Sequence, residues 1–236
     1  MRFPMPQHLP CPIARAAAVW LRRAAVAVSA SALLATTAGL AWDRERMNAA
    51  AQRAGPRAAA AVKGLQALII ETPAGDEPAL LAAVNDFFNR RVLFVDDAAV
   101  WGQDDYWASP LETLEKGRGD CEDYAIAKYF SLLAAGVPVA KLRLVYVRAA
   151  VGGPGGVVQA HMVLAWYAQP GAEPLILDNL IGEVRPASRR PDLTPVFSFN
   201  SEGLWQGAGG AAAGDPTARL SRWREVLAKA RAEGFQ

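Results

Sequence analysis

The sequence predicts an α+β fold in which one thiol-bearing helix packs against an antiparallel sheet. Residues 121–135 carry a helical apolar pattern, with Gly136 placed as the C′ residue and Pro138 preventing continuation. Three runs rich in branched and aromatic residues follow closely: 142–148 (LRLVYVR), 161–168 (HMVLAWYA) and 174–180 (PLILDNL). Glycine-rich residues 152–156 join the first pair, and Gln169-Pro170-Gly171 turns between the second pair. A helix followed by hairpin-linked strands is an α+β arrangement.

At 236 residues the chain can bury one substantial core, and residues 42–236 read as a single domain. Residues 1–41 read as a signal peptide. Arg15, Arg22 and Arg23 precede a small-residue apolar run, 24–41, with no charge until Asp43. Gly39-Leu40-Ala41 is a small-x-small cleavage signal, and the weak hydrophobicity of the run favours removal. An uncleaved anchor is the alternative, because the run approaches the length of a membrane span. Either way the body of the chain is exported, and membrane contact is confined to this segment. A net charge of +2, with arginines clustered towards the two ends and no aromatic interleaving, gives no footprint for nucleic acid.

In order, residues 42–64 read as an alanine- and arginine-rich helix interrupted at Gly55-Pro56, and 65–71 as a separate apolar segment ending at Thr72-Pro73. Residues 79–91 form a helix whose stripe of Leu80, Leu81, Val84, Phe87 and Phe88 belongs to the core. Residues 92–95 are extended. The loop 101–110 is dense in aromatics and acids, and could wall a binding site or form satellite core. Ser109-Pro110 with Glu112 starts a short helix, 111–116. On the Cys121 helix the buried set is Ile126, Tyr129, Phe130 and Leu133. Beyond the three strands, 185–195 is an irregular loop, and 197–205 is two extended pieces about a turn at Asn200 and Gly203. Residues 207–214 read as a flexible linker. Asp215-Pro216 then starts a final helix, 215–232, docked through Leu220, Trp223 and Leu227.

The chemistry concentrates at Cys121. The chain has two cysteines, and Cys11 lies in the signal region, so the processed protein keeps one thiol and cannot form an internal disulfide. A lone thiol retained in an oxidising compartment points to reactivity. Its place at a helix start, where unpaired N–H groups and the helix dipole meet, favours thiolate. His161 is likewise the one histidine outside the signal region. A hairpin centred between Gln169 and Pro170 would set His161 opposite Asp178 on one sheet face, within reach of an imidazole–carboxylate contact. Cys121 as nucleophile, His161 as base and Asp178 as orienting carboxylate form a catalytic triad. The backbone N–H of Cys121 points to where an oxyanion would develop, and a polar group from loop 101–107 could complete the hole.

Asp120, Glu122 and Asp123 crowd this thiol. Asp120 with Asp123 fits a capping-box variant. As charges, however, they oppose thiolate formation, and a hard cation such as calcium held by Asp120 and Glu122 would offset that repulsion.

At GDCEDYAIAKYF (119–130), followed by LRLVYV, HMVL and LDNL, the chain resembles the bacterial transglutaminase-like cysteine proteases of the periplasmic LapG type. The resemblance runs from about residue 80 to 205. It includes Asp105-Tyr106-Trp107 and the Pro110, Glu112 and Leu114 pattern; the loop before the cysteine here reads Ala108-Ser109-Pro110. It implies a transglutaminase-like, papain-like core, the triad Cys121, His161 and Asp178, and calcium dependence through Asp120 and Glu122. It also implies a periplasmic endopeptidase that cuts a large surface adhesin near its N-terminus, beside paired alanines. Such cleavage releases the adhesin and promotes biofilm detachment, under control of an inner-membrane cyclic-di-GMP receptor. The core also hosts amide transfer and deamidation, so an acyl transferase with the same triad is the alternative. A non-catalytic calcium-binding module is the reading from another class.

Overall fold

The computed structural model describes residues 42–152 and 156–235, and residues 1–41, read from sequence as a signal peptide, lie outside the described residues. Residues Leu40–Gln236 form one compact unit.

Local caps explain where the first helices begin and end. Asp43 caps α1 (Arg44–Ala54) by accepting the Arg46 N–H at 3.0 Å. Gly55, at φ 147°, breaks the chain before Pro56 opens α2 (Pro56–Glu71). The expectation of a separate segment at 65–71 is corrected: these residues continue α2, since no breaker stands between Leu65 and Glu71 and Val62 and Leu65 are fully buried. Asp76 caps α3 (Glu77–Arg91), whose five-residue stripe is buried as its spacing predicted.

Next come β1 (Leu93–Phe94), the short α4 (Asp97–Val100), α5 (Pro110–Lys116) and β2 (Arg118–Gly119). A complete capping box between Ser109 and Glu112 starts α5. Strand β2 pairs in parallel with β1, which brings the α4 region beside the start of α6 (Cys121–Ala134). Helix α6 is enclosed over nearly its whole length, with Ile126, Tyr129, Phe130 and Leu133 all buried. It ends where Gly136, at φ 90°, donates its N–H to Leu133 and Val137 donates to Leu132.

The sheet that supports α6 has seven strands: β3 (Leu142–Val151), β4 (Val157–Trp166), β5 (Leu175–Leu177), β6 (Arg185–Pro186), β7 (Leu193–Phe199), β8 (Leu204–Gln206) and β9 (Ala212–Gly214). Their order is β6-β5-β4-β3-β7-β8-β9, and every neighbouring pair is antiparallel. Alternation separates the faces. Leu142, Leu144, Met162 and Leu164 join the main core with α6, while Val145, Val147, Val163 and Ala165 form a smaller cluster on the other side.

Residues 207–214, expected to be a flexible linker, instead turn at Gly207 (φ 59°) and return as β9. The small side chains that suggested flexibility also permit that close return. The final helix is divided by extended Leu220 into α7 (Pro216–Arg219) and α8 (Ser221–Ala232). Trp223 is fully buried and packs edge-on against Tyr129 and Phe199, which docks α8 on the domain. Among the described residues, no helix is long and apolar enough to cross a membrane.

Candidate active site

Cys121 is the first residue of α6, separated from the glycine-bounded β2 by the N-cap residue Asp120. Its thiol donates to Glu122 Oε2 at 2.7 Å, and the Met162 backbone N–H of β4 points at the sulfur. Because Met162 follows His161, that contact brings the strand carrying the imidazole to the start of α6. Burial pushes the thiol pKa well up, and the charges of Glu122 and Asp120 push it further; the Met162 N–H opposes them. The helix start alone does not make this sulfur a thiolate.

His161 Nε2 lies 2.7 Å from Asp178 Oδ1, and both side chains are buried. The hairpin register differs from the expected one. Leu164 stands opposite Leu177 and Trp166 opposite Leu175, which centres the turn between Pro170 and Gly171, one residue later. Continuing that register sets Leu180, not Asp178, opposite His161. A shift of two positions preserves side-chain parity, so His161 and Asp178 still share a face and meet diagonally. With Nε2 engaged by the carboxylate, Nδ1 is the ring nitrogen left for proton exchange.

Asp178 is itself held from several sides. The Leu180 N–H donates to Oδ1 at 3.1 Å, and Arg190 Nη2 donates to Oδ2 at 2.7 Å. Burial raises the Asp178 pKa, but the His161, Leu180 and Arg190 contacts outweigh it and bring the carboxyl down to about 2. Asn89 donates to the Asp178 carbonyl at 2.8 Å and Asn85 to the Gly182 carbonyl at 2.7 Å, tying this loop to α3. Sequence reasoning missed Arg190, which lay in a stretch read only as irregular. The Arg190-x-Asp192 spacing was the one available signal, and it is common on surfaces; here the guanidinium is buried and bridges Asp192 and Asp178.

Beside the thiol, Asp97, Asp120 and Asp123 bring carboxylate oxygens within 4.8 Å of one another. Asp97 Oδ2 accepts the Tyr106 N–H at 2.5 Å, and Asp123 Oδ1 accepts the Ala108 N–H at 2.8 Å. The other oxygens, Asp97 Oδ1, Asp120 Oδ1 and Asp123 Oδ2, are buried without a hydrogen-bond partner. Gly119 makes room for this packing, because a Cβ there would lie 2.4 Å from Asp123 Oδ2. Burial and then mutual repulsion push Asp120 up to about 9 and Asp123 up to about 8, and burial also raises Asp97. Orphaned, crowded oxygens of this kind suit a hard divalent cation. Of the two residues named from sequence, Asp120 belongs to this group; Glu122 falls in a second group with Asp120 and Cys121 and faces the sulfur. Asp97 comes from a different helix and carried no sequence signal, and Asp123 had been read as a cap partner and as a charge crowding the thiol, not as a metal ligand. The Asp120 side chain makes no capping bond, so the capping-box alternative is not realised there.

The aromatic loop contributes mainly packing. Trp107 stacks on Phe199 and Trp101 lies against Tyr106. The Tyr106 hydroxyl is bound by Glu112 and Lys229, and Asp105 pairs with Arg222. These polar tips are thus committed away from the thiol.

The family model of the bacterial transglutaminase-like cysteine proteinases (BTLCP) matches residues 67–192. Among solved structures, calcium-bound LapG of Legionella pneumophila is 38% identical, over 79% of this chain and 98% of that chain, with a TM-score of 0.68. EGTA-treated LapG from the same organism is also 38% identical, over 79% of this chain and 97% of that chain, with a TM-score of 0.66. Among curated protein sequences none matches.

Proposed function

Since the chain belongs to the bacterial transglutaminase-like cysteine proteinase family and is a cysteine protease, we propose that it is an exported, periplasmic, calcium-dependent endopeptidase that cleaves the N-terminal region of a large surface adhesin. The observation that carries the chemistry is the buried His161–Asp178 pair, whose imidazole stands on β4, where the next residue, Met162, turns its backbone N–H towards the Cys121 thiol at the start of α6.

Nδ1 of His161 takes the Cys121 proton as the sulfur attacks the scissile carbonyl. The Glu122 contact gives way in this step. Asp178 keeps Nε2–H in place and stabilises the imidazolium, and the contacts from His161, Leu180 and Arg190 together keep Asp178 ionised. The backbone N–H of Cys121 faces the developing oxyanion. The imidazolium then protonates the leaving amine, and His161 activates the water that hydrolyses the acyl-enzyme. Asp97, Asp120 and Asp123 would hold calcium, with Glu122 adjoining. An ion bound there would neutralise the carboxylate charge that opposes thiolate formation.

The LapG-type sequence pattern supports the adhesin as substrate, cleavage beside paired alanines, promotion of biofilm detachment and inhibition by an inner-membrane cyclic-di-GMP receptor. The basic, then apolar, pattern of residues 1–41 supports export. The test is incubation of purified protein with the N-terminal part of a large adhesin encoded nearby. A single calcium-dependent cut, lost in Cys121→Ala and in EGTA, is expected. Amine incorporation or glutamine deamidation without backbone cleavage would favour the acyl-transferase chemistry, and activity unchanged in Cys121→Ala would exclude catalysis by this site.

A further inference from the structure

We propose that the open edge of β4, at Val158 and Ala160, binds the substrate main chain as an added strand leading to Cys121. This rests on Cys121 being the nucleophile of the proposed function, and it names how that site takes its substrate.

The edge is open because its neighbour is short. β4 has ten residues, whereas β5 has three and pairs only with Leu164, Ala165 and Trp166. Among the described residues, nothing hydrogen-bonds to the outward main chain of Val158 or Ala160.

The direction of those groups follows from parity. The Ala150 N–H donates to the Asp192 carbonyl on the β7 side, so even-numbered residues of β3 face β7 and odd-numbered ones face β4. Val147 stands opposite His161 and Ala149 opposite Gln159. Odd-numbered residues of β4 therefore bond to β3, and Val158, Ala160 and Met162 turn their N–H and C=O outwards. The Tyr167 N–H just beyond β4, which donates to the Lys141 carbonyl on the β3 side at 2.8 Å, gives the same parity independently. The outward groups of Val158 and Ala160 thus form a row, spaced about 6.6 Å apart by two residues of strand rise, that leads to Met162, whose backbone N–H acts on the Cys121 thiol.

Edge strands are ordinarily shielded by charge, proline or a covering element. This one carries none of the first two from Val157 to Ala160, and Val157 and Val158 are 72% and 62% exposed. An extended peptide satisfies such an edge through its main chain, while only alternate side chains are read. Substrate selection then depends first on a segment being unfolded and extended, and only second on residue identity.

The experiment uses the full chain with calcium present and follows alkylation of Cys121, in which Sγ displaces chloride from a chloromethyl ketone and its proton leaves through His161. The probes are acetyl-Ala and acetyl-Val-Thr-Val-Ala-Ala chloromethyl ketones, with the longer one also N-methylated at each amide in turn. The pentapeptide is expected to react at least tenfold faster than acetyl-Ala. N-methylation should abolish that gain at alternate amides and preserve it at those between. No gain with length would overturn the proposal, as would equal sensitivity at every amide or at none. The adhesin reading is judged separately by adhesin cleavage, which either outcome here leaves intact.

Discussion

Arg190→Met is expected to withdraw the support of the Asp178 carboxylate and so test whether the buried pair works as a unit. The guanidinium donates to Asp178 at 2.7 Å and to Asp192 at 2.8, 3.0 and 3.2 Å, and its side chain is 1% exposed. Removing one partner of such a buried pair strands a charge at a cost of about 3–5 kcal/mol. For a domain of this size that is a fall of roughly 6–20 °C in Tm. The assay is thermal unfolding of the parent, Arg190→Met, Asp178→Asn and the double variant. In the Asp178→Asn background the stranded charge is gone, so the arginine substitution should cost much less, leaving a coupling of at least ~1 kcal/mol. Enzymatically, kcat should fall more than KM rises, with partial recovery in Arg190→Lys. A loss below ~1 kcal/mol, or the same loss in both backgrounds, would refute the coupling.

Asp97→Asn should raise the melting temperature of the calcium-free protein and shrink the rise that calcium produces, read by calorimetry with and without EGTA. The scan is run above about pH 9, where Asp120 and Asp123 are ionised; carboxylate charges within 4.8 Å then repel by about 3 kcal/mol per pair at an effective dielectric near 20. Asp178 has a depressed folded pKa, so its contribution is complete above the ordinary carboxylate value and is lost as pH falls towards 2. That contribution amounts to about 2 kcal/mol, and Asp178→Asn should flatten the loss of stability between about pH 4 and 2. Lys128 is buried and lies over the Tyr124 ring; burial brings its pKa down to about 7, opposed by Asp178 and Asp86. Its stability cost grows as pH falls from the unfolded value towards 7, so Lys128→Met should raise the melting point at pH 6 and leave it nearly unchanged above about pH 10.5.

Much of the site was legible because it depends on local rules. The placement of Cys121 at a helix start followed from glycine, acid and apolar spacing alone, and α6 runs from that residue. Partnership of His161 with Asp178 followed from hairpin parity, which survived an error of one residue in the turn centre. The acidic cluster was half legible. Asp120 was named, but Asp97 reaches it only because parallel pairing of β1 with β2 lays α4 beside α6.

The sequence by itself determined most helix starts and the α+β class, and it singled out Cys121, His161 and Asp178 as candidates, since capping and periodicity act over a few residues. Tertiary structure alone decided that residues 207–214 close the sheet and that Arg190 is buried against Asp178. It alone decided that β4 outruns β5 and leaves the main chain of Val158 and Ala160 unpaired. These outcomes depend on which distant groups exclude water from one another, and spacing along the chain does not encode that.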